Sequence, residues 1–181
     1  MFPDGSKYIG NWNNGLAHGK GTMYHACGDV YTGDFIDDQA TGQGTLTRAN
    51  NTSYEGQWLD GMRHGEGVQE HSDGSVYSGS YYHGKKNGQG ELIFKNGSKY
   101  VGNWVEDSMS GYGTFEWPEG KKYEGQWKDN MYHGMGLFIW PDGKCYRGQY
   151  ENNKKSGQGI MSWPNGKRQA GKWSDGKFIK A

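Results

Sequence analysis

The sequence predicts an all-β protein: an elongated, open-edged, single-layer antiparallel sheet made of tandem β-hairpins. Three observations carry that prediction. A Tyr-x-Gly-x-aromatic pattern returns every 23 residues without slipping, at Tyr8/Gly10/Trp12, Tyr31/Gly33/Phe35, Tyr54/Gly56/Trp58, Tyr77/Gly79/Tyr81, Tyr100/Gly102/Trp104, Tyr123/Gly125/Trp127 and Tyr146/Gly148/Tyr150. A Gly-x-Gly follows in each full unit, from Gly19/Gly21 to Gly157/Gly159. No segment reads as a helix, so successive hairpins can pair only with one another. A fixed period of this length marks a repeat architecture, in which each unit buries its apolar face by stacking on its neighbours.

Each element follows from local chemistry. Ser6 to Trp12 alternates large and small residues and ends at Asn13-Asn14-Gly15, a turn-forming cluster, so it reads as a strand and a turn. Gly21 to His25 reads as the return strand. The next turn is spelled Pro3-Asp4-Gly5, Pro118-Glu119-Gly120, Pro141-Asp142-Gly143 or Pro164-Asn165-Gly166, where proline presets φ and glycine accepts a positive φ. Units begin near residues 8, 31, 54, 77, 100, 123, 146 and 169. The last is a degenerate half repeat with Gln169 in the tyrosine column, as a capping repeat would be. About fifteen strands in a single array over residues 1–181 are expected.

Composition narrows the classes. Leu, Ile, Val and Phe make only about 12% of the chain, a level associated with disorder. Against this stand 8 Trp, 13 Tyr and 6 Phe at fixed register, so the core is expected to be thin and made of rings. A net charge of +0 removes the electrostatic footprint of a nucleic-acid binder. The longest clean apolar run, Leu137 to Trp140, is too short for a membrane span, and the expectation is a cytoplasmic protein. Cys27 and Cys145 fall in different columns and are expected as free thiols.

Within a strand, Tyr8, Gly10 and Trp12 share one face while Ile9 and Asn11 take the other, giving one aromatic and one mostly polar face. The glycines Gly10, Gly33, Gly56, Gly79, Gly102, Gly125 and Gly148 are read as structural. Each leaves a hollow for an aromatic from the adjacent strand.

Tyr54-Glu55-Gly56-Gln57-Trp58 with His64-Gly65-Glu66-Gly67 resembles the MORN (membrane occupation and recognition nexus) repeat, and the resemblance spans essentially the whole chain. Similar repeats occur in junctophilins, plant phosphatidylinositol phosphate kinases, a SET-type lysine methyltransferase, radial spoke head proteins and apicomplexan cytoskeletal scaffolds. There they serve as assembly or targeting modules, and catalysis resides in other domains. The resemblance thus implies a non-enzymatic scaffold in a cytoskeletal or ciliary assembly. It also implies an alternative: a phosphoinositide or membrane-tethering module, or the regulatory domain of a lipid kinase. The histidine before Gly-x-Gly is replaced by Thr41, Asn87, Ser110 and Ser156 in four units.

The residues themselves point to no chemistry and no cofactor. His18, His64 and His133 share a column but are separated by whole repeats, too far for one metal ion. Acidic residues after the aromatic strand, such as Asp37, Asp60, Glu106, Asp129 and Asp175, read as turn chemistry. Lys85-Lys86 and Lys154-Lys155 read as solvated hairpin tips, too far apart for one polybasic lipid patch. Carbohydrate-binding aromatic hairpins have shorter periods and a different spelling.

The copies differ in one systematic way. At the end of the return strand the column reads His25, Arg48 and His71, then Phe94, Trp117, Trp140 and Trp163; two residues earlier Leu92, Phe115, Phe138 and Met161 reinforce the change. These rings either complete the packing of the C-terminal half or form a groove, since a single-layer sheet has no second layer to cover its face. The groove reading assigns partner binding to Tyr100, Trp104, Trp117, Tyr123, Trp127 and Trp140, with an extended or helical protein segment as the partner. A second contact edge is expected from Leu16, Met62, Met109, Met131 and Tyr132 at the hairpin tips. Phe2-Pro3-Asp4-Gly5 spells the closing turn of a preceding unit, so either further repeats precede it or the open strand edge pairs with another copy.

Overall fold

The computed structural model describes residues 1–179. Among them there is no helix, and sixteen strands form one open antiparallel sheet in sequence order. The chain comprises two compact units, Met1–Gly88 and the part from Gln89 onward. The first unit holds β1 (Lys7–Asn13), β2 (Leu16–Tyr24), β3 (Val30–Ile36), β4 (Gln39–Thr47), β5 (Ser53–Leu59), β6 (Met62–Glu70) and β7 (Val76–Tyr82), and the start of β8 (Lys85–Ile93). The second holds the rest of β8, then β9 (Lys99–Val105), β10 (Ser108–Glu116), β11 (Lys122–Lys128), β12 (Met131–Ile139), β13 (Cys145–Glu151), β14 (Lys154–Ser162), β15 (Arg168–Ser174) and β16 (Lys177–Phe178).

The hairpin turns are tighter than the sequence suggests. Two residues suffice, and both adopt positive φ, as at Asn14 (49°) and Gly15 (81°), Asp60 (49°) and Gly61 (73°), or Asp129 (49°) and Asn130 (65°). This is the two-residue hairpin turn whose twist matches the strands, and Asn, Asp and Gly tolerate it best. The acidic residues after the aromatic strand are therefore turn formers. Because the turn ends at Gly15, the return strand starts at Leu16 and includes His18-Gly19, where the sequence pattern suggests a loop.

Six of the seven full repeats show a bulge between their two strands, and the bulge explains their invariant residues. The pairing of β1 with β2 shifts between Gly10 and Trp12, leaving Asn11 out of the ladder. The phenol of Tyr8 donates to the freed carbonyl of Asn11 at 3.0 Å, and the same bond runs from Tyr31, Tyr54, Tyr77, Tyr100, Tyr123 and Tyr146 to the residue three positions on. From the opposite face, the side chain of the bulged residue accepts a backbone N–H of the return strand, as Gln57 does from Glu66 at 2.9 Å and Gln126 from Met135 at 2.8 Å. A buried carbonyl without a partner would be costly, so tyrosine is required as much for its hydroxyl as for its ring.

The two glycines of Gly-x-Gly serve different ends. The first, as at Gly65 (φ 55°) or Gly134 (φ 60°), supplies the positive φ of the bulge. The second lies under the tyrosine: a Cβ on Gly67 would stand 2.4 Å from the Tyr54 hydroxyl. The same ring also covers Gly56, where a Cβ would stand 2.7 Å from that hydroxyl. The hollow at Gly56 is therefore filled from its own strand, two residues earlier, and not by an aromatic of the adjacent strand as simple alternation suggests.

The core is a ladder of edge-to-face rings. In the first unit Tyr31 meets Phe35 at 5.1 Å and Trp58 at 5.0 Å, and Tyr54 meets Trp58 at 5.2 Å and Tyr81 at 5.1 Å. In the second, Tyr100, Tyr123 and Tyr146 each touch the aromatic of their own repeat and of the next, at 5.1–5.4 Å. Such contacts set the electropositive ring edge against the electronegative face and add to the gain from burial. The opposite face is not purely polar, since Val101, Tyr112 and Met135 are exposed there.

Candidate functional site

The aromatic face of the second unit has a floor and two rims. Its floor is the ring ladder, and it is sealed. Tyr100, Trp104, Tyr123 and Trp127, four of the six residues assigned to a groove from the sequence, are at most 5% exposed. Their faces are used by neighbouring rings, and the indole N–H of Trp127 donates to the Gly113 carbonyl at 3.1 Å. Burial also raises the phenol pKa values of Tyr100 and Tyr123 well above the usual tyrosine range. These four can shape a contact but offer little surface to one.

The first rim contains the other two. Trp117 and Trp140 are half-buried, and they sit one residue past the strand, in the turn between repeats, not at the strand end. There the Trp117 N–H donates to the Lys121 carbonyl at 3.0 Å and its carbonyl accepts the Gly120 N–H at 2.9 Å. These bonds fix the backbone of the turn, and the ring itself is held between Phe115 and Phe138. Ring contacts join Phe94 to Phe115 (5.5 Å), Phe115 to Trp117 (4.4 Å), Trp117 to Phe138 (5.6 Å) and Phe138 to Trp140 (4.5 Å). The result is one continuous, partly exposed aromatic ridge.

The second rim is only partly foreseen by the sequence, which names Met109 and Tyr132 but sets them in a row of hairpin tips. It is the second residue of each return strand: Ala17, Ala40, Arg63 and Lys86 in the first unit, then Met109, Tyr132 and Lys155. Opposite the aromatic of its own repeat, as Trp58 opposes Arg63 and Trp127 opposes Tyr132, each projects over the ring ladder. Tyr132 stacks on Tyr123 at 4.0 Å, and burial lifts its pKa to about 12. Two sequence expectations change as a result. The proposed edge of Leu16, Met62, Met109, Met131 and Tyr132 divides between adjacent columns, with Met109 and Tyr132 on the aromatic face, and does not form one row. The second lysine of each Lys-Lys pair is not a solvated tip: Lys86 lies 4.8 Å from the Tyr77 ring, and Lys155 lies 4.6 Å from Trp173, 5.2 Å from Tyr146 and 5.3 Å from Trp140. Burial, with Lys144 nearby, lowers the pKa of Lys155. The signal in the sequence is the short turn, since a two-residue hairpin sets this column directly opposite the aromatic of its own repeat.

In the first unit the residues in the ridge column, His25, Arg48 and His71, are polar. Arg48 faces Asp29 at 4.0 Å, and His71 lies beside Gln69, where burial lowers its pKa. The column histidines are not drawn into one cluster; His18 lies 3.7 Å from Asp37, and His64 packs against Tyr82 and His83. Among the described residues no three His, Cys, Asp or Glu side chains are placed to hold a metal ion. Cys27 and Cys145 are both free thiols.

Comparison with solved structures finds low-level likenesses. The chain is similar to the TCP10 domain of Danio rerio CPAP in complex with a peptide of Danio rerio STIL, at 15% identity, 96% of this chain, 97% of that chain and a TM-score of 0.42. It is similar to the G-box domain of the microcephaly protein CPAP at 13% identity, 96% and 97% coverage and a TM-score of 0.41. A virginiamycin B lyase of Staphylococcus aureus follows at 12% identity, 93% and 59% coverage and a TM-score of 0.20. Scores of this size carry no argument about this chain. Among curated proteins the sequence found no match. The MORN repeat model, in contrast, matches residues 8–30, 31–53, 54–76, 77–99, 100–122, 123–145 and 146–168, seven contiguous copies that begin at the seven bulge-capping tyrosines. The chain belongs to the MORN repeat family.

Proposed function

We propose that this protein is a non-enzymatic scaffold that receives a protein segment on the aromatic face of its second unit, between the ridge ending in Trp117 and Trp140 and the rim of Met109, Tyr132 and Lys155. The observation that carries the reading is the partly exposed ring-to-ring ridge, which the other copies of the same columns lack: His25, Arg48 and His71 stand in the first unit. A packing role alone leaves no reason for large rings at surface turns whose backbone is already fixed by its own hydrogen bonds. Exposed Trp and Tyr anchors are the composition of binding hot spots. By family resemblance the proposed setting is a cytoplasmic cytoskeletal or ciliary assembly.

The test is affinity capture from the native cell with the intact protein, a Trp117→Ala/Trp140→Ala variant, and a control bearing Trp12→Ala in the first unit. The proposal expects a partner retained by the control and lost from the double variant. Equal capture by all three would sink it. The alternative of a phosphoinositide or membrane-tethering module, or a lipid-kinase regulatory domain, has weaker support, because Lys86 and Lys155 are turned onto rings. Flotation with phosphoinositide vesicles separates the two, since the scaffold reading expects the protein to stay in the unbound fraction.

A further inference from the structure

The repeats allow one site to be read against another. In the third repeat Arg63 lies over the ring ladder, its guanidinium 5.8 Å from the Tyr54 centroid and 5.1 Å from that of Tyr81. It donates to the Gln69 side-chain carbonyl and, at 2.6 Å, to the Gly84 backbone carbonyl. One repeat earlier, in the same unit, the position of Arg63 is held by Ala40. The four groups that surround the guanidinium become Tyr31, Trp58, Leu46 and Gly61. All four line a cleft of about 550 Å³ together with Ala40 itself. That volume lies within the roughly 300–1,000 Å³ of ligand clefts.

The cleft keeps what attracts a cation and lacks the cation. Trp58 replaces Tyr81, and an indole is the better ring for a cation. Its N–H is tied to the Gly44 carbonyl at 2.9 Å, which fixes the ring. Asp38 and Asp60 also line the cleft, and no Lys or Arg does. At Arg63 the position equivalent to Asp60 is His83, so the empty copy carries an added carboxylate. Asp38 accepts the Ala17 N–H at 2.7 Å with one oxygen, leaving the second oxygen for another donor. Arg48, the nearby cation of the fold, is engaged by Asp29.

We infer that the cleft over Ala40 receives an arginine side chain from a partner segment, seated over Tyr31 and Trp58 as Arg63 is seated over Tyr54 and Tyr81, with Asp38 and Asp60 supplying the charge. The site lies in the first unit and does not depend on the aromatic ridge of the second.

The test uses the full chain, ¹⁵N-labelled, titrated with N-acetyl-arginine methylamide and with its citrulline analogue, which keeps the shape and loses the charge. The arginine compound should shift the Trp58 indole N–H and the Ala40 amide, about tenfold more tightly than the citrulline compound, the ratio expected of a cation over a desolvated ring. Ala40→Arg should fill the cleft from within and abolish those shifts. Gln43→Arg adds the same charge on an exposed site of β4 and should leave them intact. Asp60→Asn, a surface turn change that keeps the fold, should weaken binding several-fold. Equal shifts from both compounds, or equal effects of Ala40→Arg and Gln43→Arg, would overturn the inference. Should Ala40→Arg fail to fold, that failure would itself count against the equivalence with Arg63, and Asp60→Asn would still report on the charge.

Discussion

Gly136 offers the sharpest test of how the rings and glycines hold the fold. Its φ is not in the left-handed region, so alanine brings no backbone strain there. A Cβ, however, would stand 2.5 Å from the Tyr123 hydroxyl oxygen, 2.6 Å from Cε2 and 2.7 Å from Cζ. The ring has no room to retreat: it is fully buried, edge-on to Trp127 at 5.2 Å and Tyr150 at 5.4 Å, and stacked on Tyr132. Overpacking of this kind costs about 1–3 kcal/mol. Displacing the phenol also weakens its 2.8 Å bond to the Gln126 carbonyl, worth about 1 kcal/mol net. Loss of glycine flexibility in the unfolded chain works the other way by about 0.4–1 kcal/mol. Steric cost wins, and Gly136→Ala should destabilise the second unit by roughly 2–3 kcal/mol. Urea unfolding followed by tryptophan fluorescence measures this. In a Tyr123→Ala background the ring is gone, and the added cost of Gly136→Ala should fall to near zero. A Gly136→Ala midpoint at or above that of the unaltered protein, or an equal cost in both backgrounds, would refute the reasoning.

Further outcomes follow from the same geometry. Gly125→Ala should cost more than Gly136→Ala, because its Cβ meets backbone, the Gly136 Cα at 2.5 Å and the Met135 carbonyl at 2.6 Å, and backbone cannot rotate away; the same urea titration compares them. The protein should lose stability in alkali: unfolded tyrosine ionises near pH 10, whereas burial holds Tyr54 and Tyr146 at about 12, so stability present below pH 10 is lost as pH rises toward 12. Phenolate absorbance and circular dichroism should therefore change together in that window, and ladder tyrosines titrating freely near pH 10 in a folded protein would contradict it. Arg63→Ala should cost roughly 1.5–3 kcal/mol, since it strips Gln69, which is buried, and the Gly84 carbonyl of a charged donor. Free guanidinium-bearing N-acetyl-arginine methylamide should then raise the thermal midpoint of the Arg63→Ala variant more than its citrulline analogue does.

Most of the architecture was legible in the sequence because a strict period leaves few options. The hairpin turns could be read from Asn14-Gly15 and Asp60-Gly61, and the strands from alternation around Tyr8 or Tyr54. The bulge could not be. It depends on Asn11 leaving the ladder and on Tyr8 reaching its carbonyl, and its mark in the sequence, the first glycine of Gly-x-Gly, does not by itself distinguish a positive φ from a packing hollow. The length of the turn matters in the same way: with only two residues in it, Trp127 stands directly opposite Tyr132 and Trp58 opposite Arg63, so the second residue of the return strand shares the aromatic face. Met109, Tyr132 and Lys155 read as hairpin tips only where the loop is drawn longer, which hides the rim they form. The tryptophans at 104 and 127 were expected to meet a partner because their columns are aromatic; their burial reflects neighbouring repeats, and a single repeat cannot reveal it. Trp117 and Trp140 were legible for a different reason. They mark where copies diverge, and divergence in a repeat protein is free of the constraint that fixes the shared columns.

The central claim, that the divergent ridge of the second unit is the binding face, is tested most directly by site-specific photo-cross-linking in the native cell. p-Benzoylphenylalanine would be placed either at Trp117 on the ridge or at Tyr112, which is 55% exposed on the opposite face. The account predicts a discrete protein adduct at position 117, localised by mass spectrometry to one segment of the partner, and none at position 112. Adducts at 112 alone, or the same adducts from both positions, would contradict it.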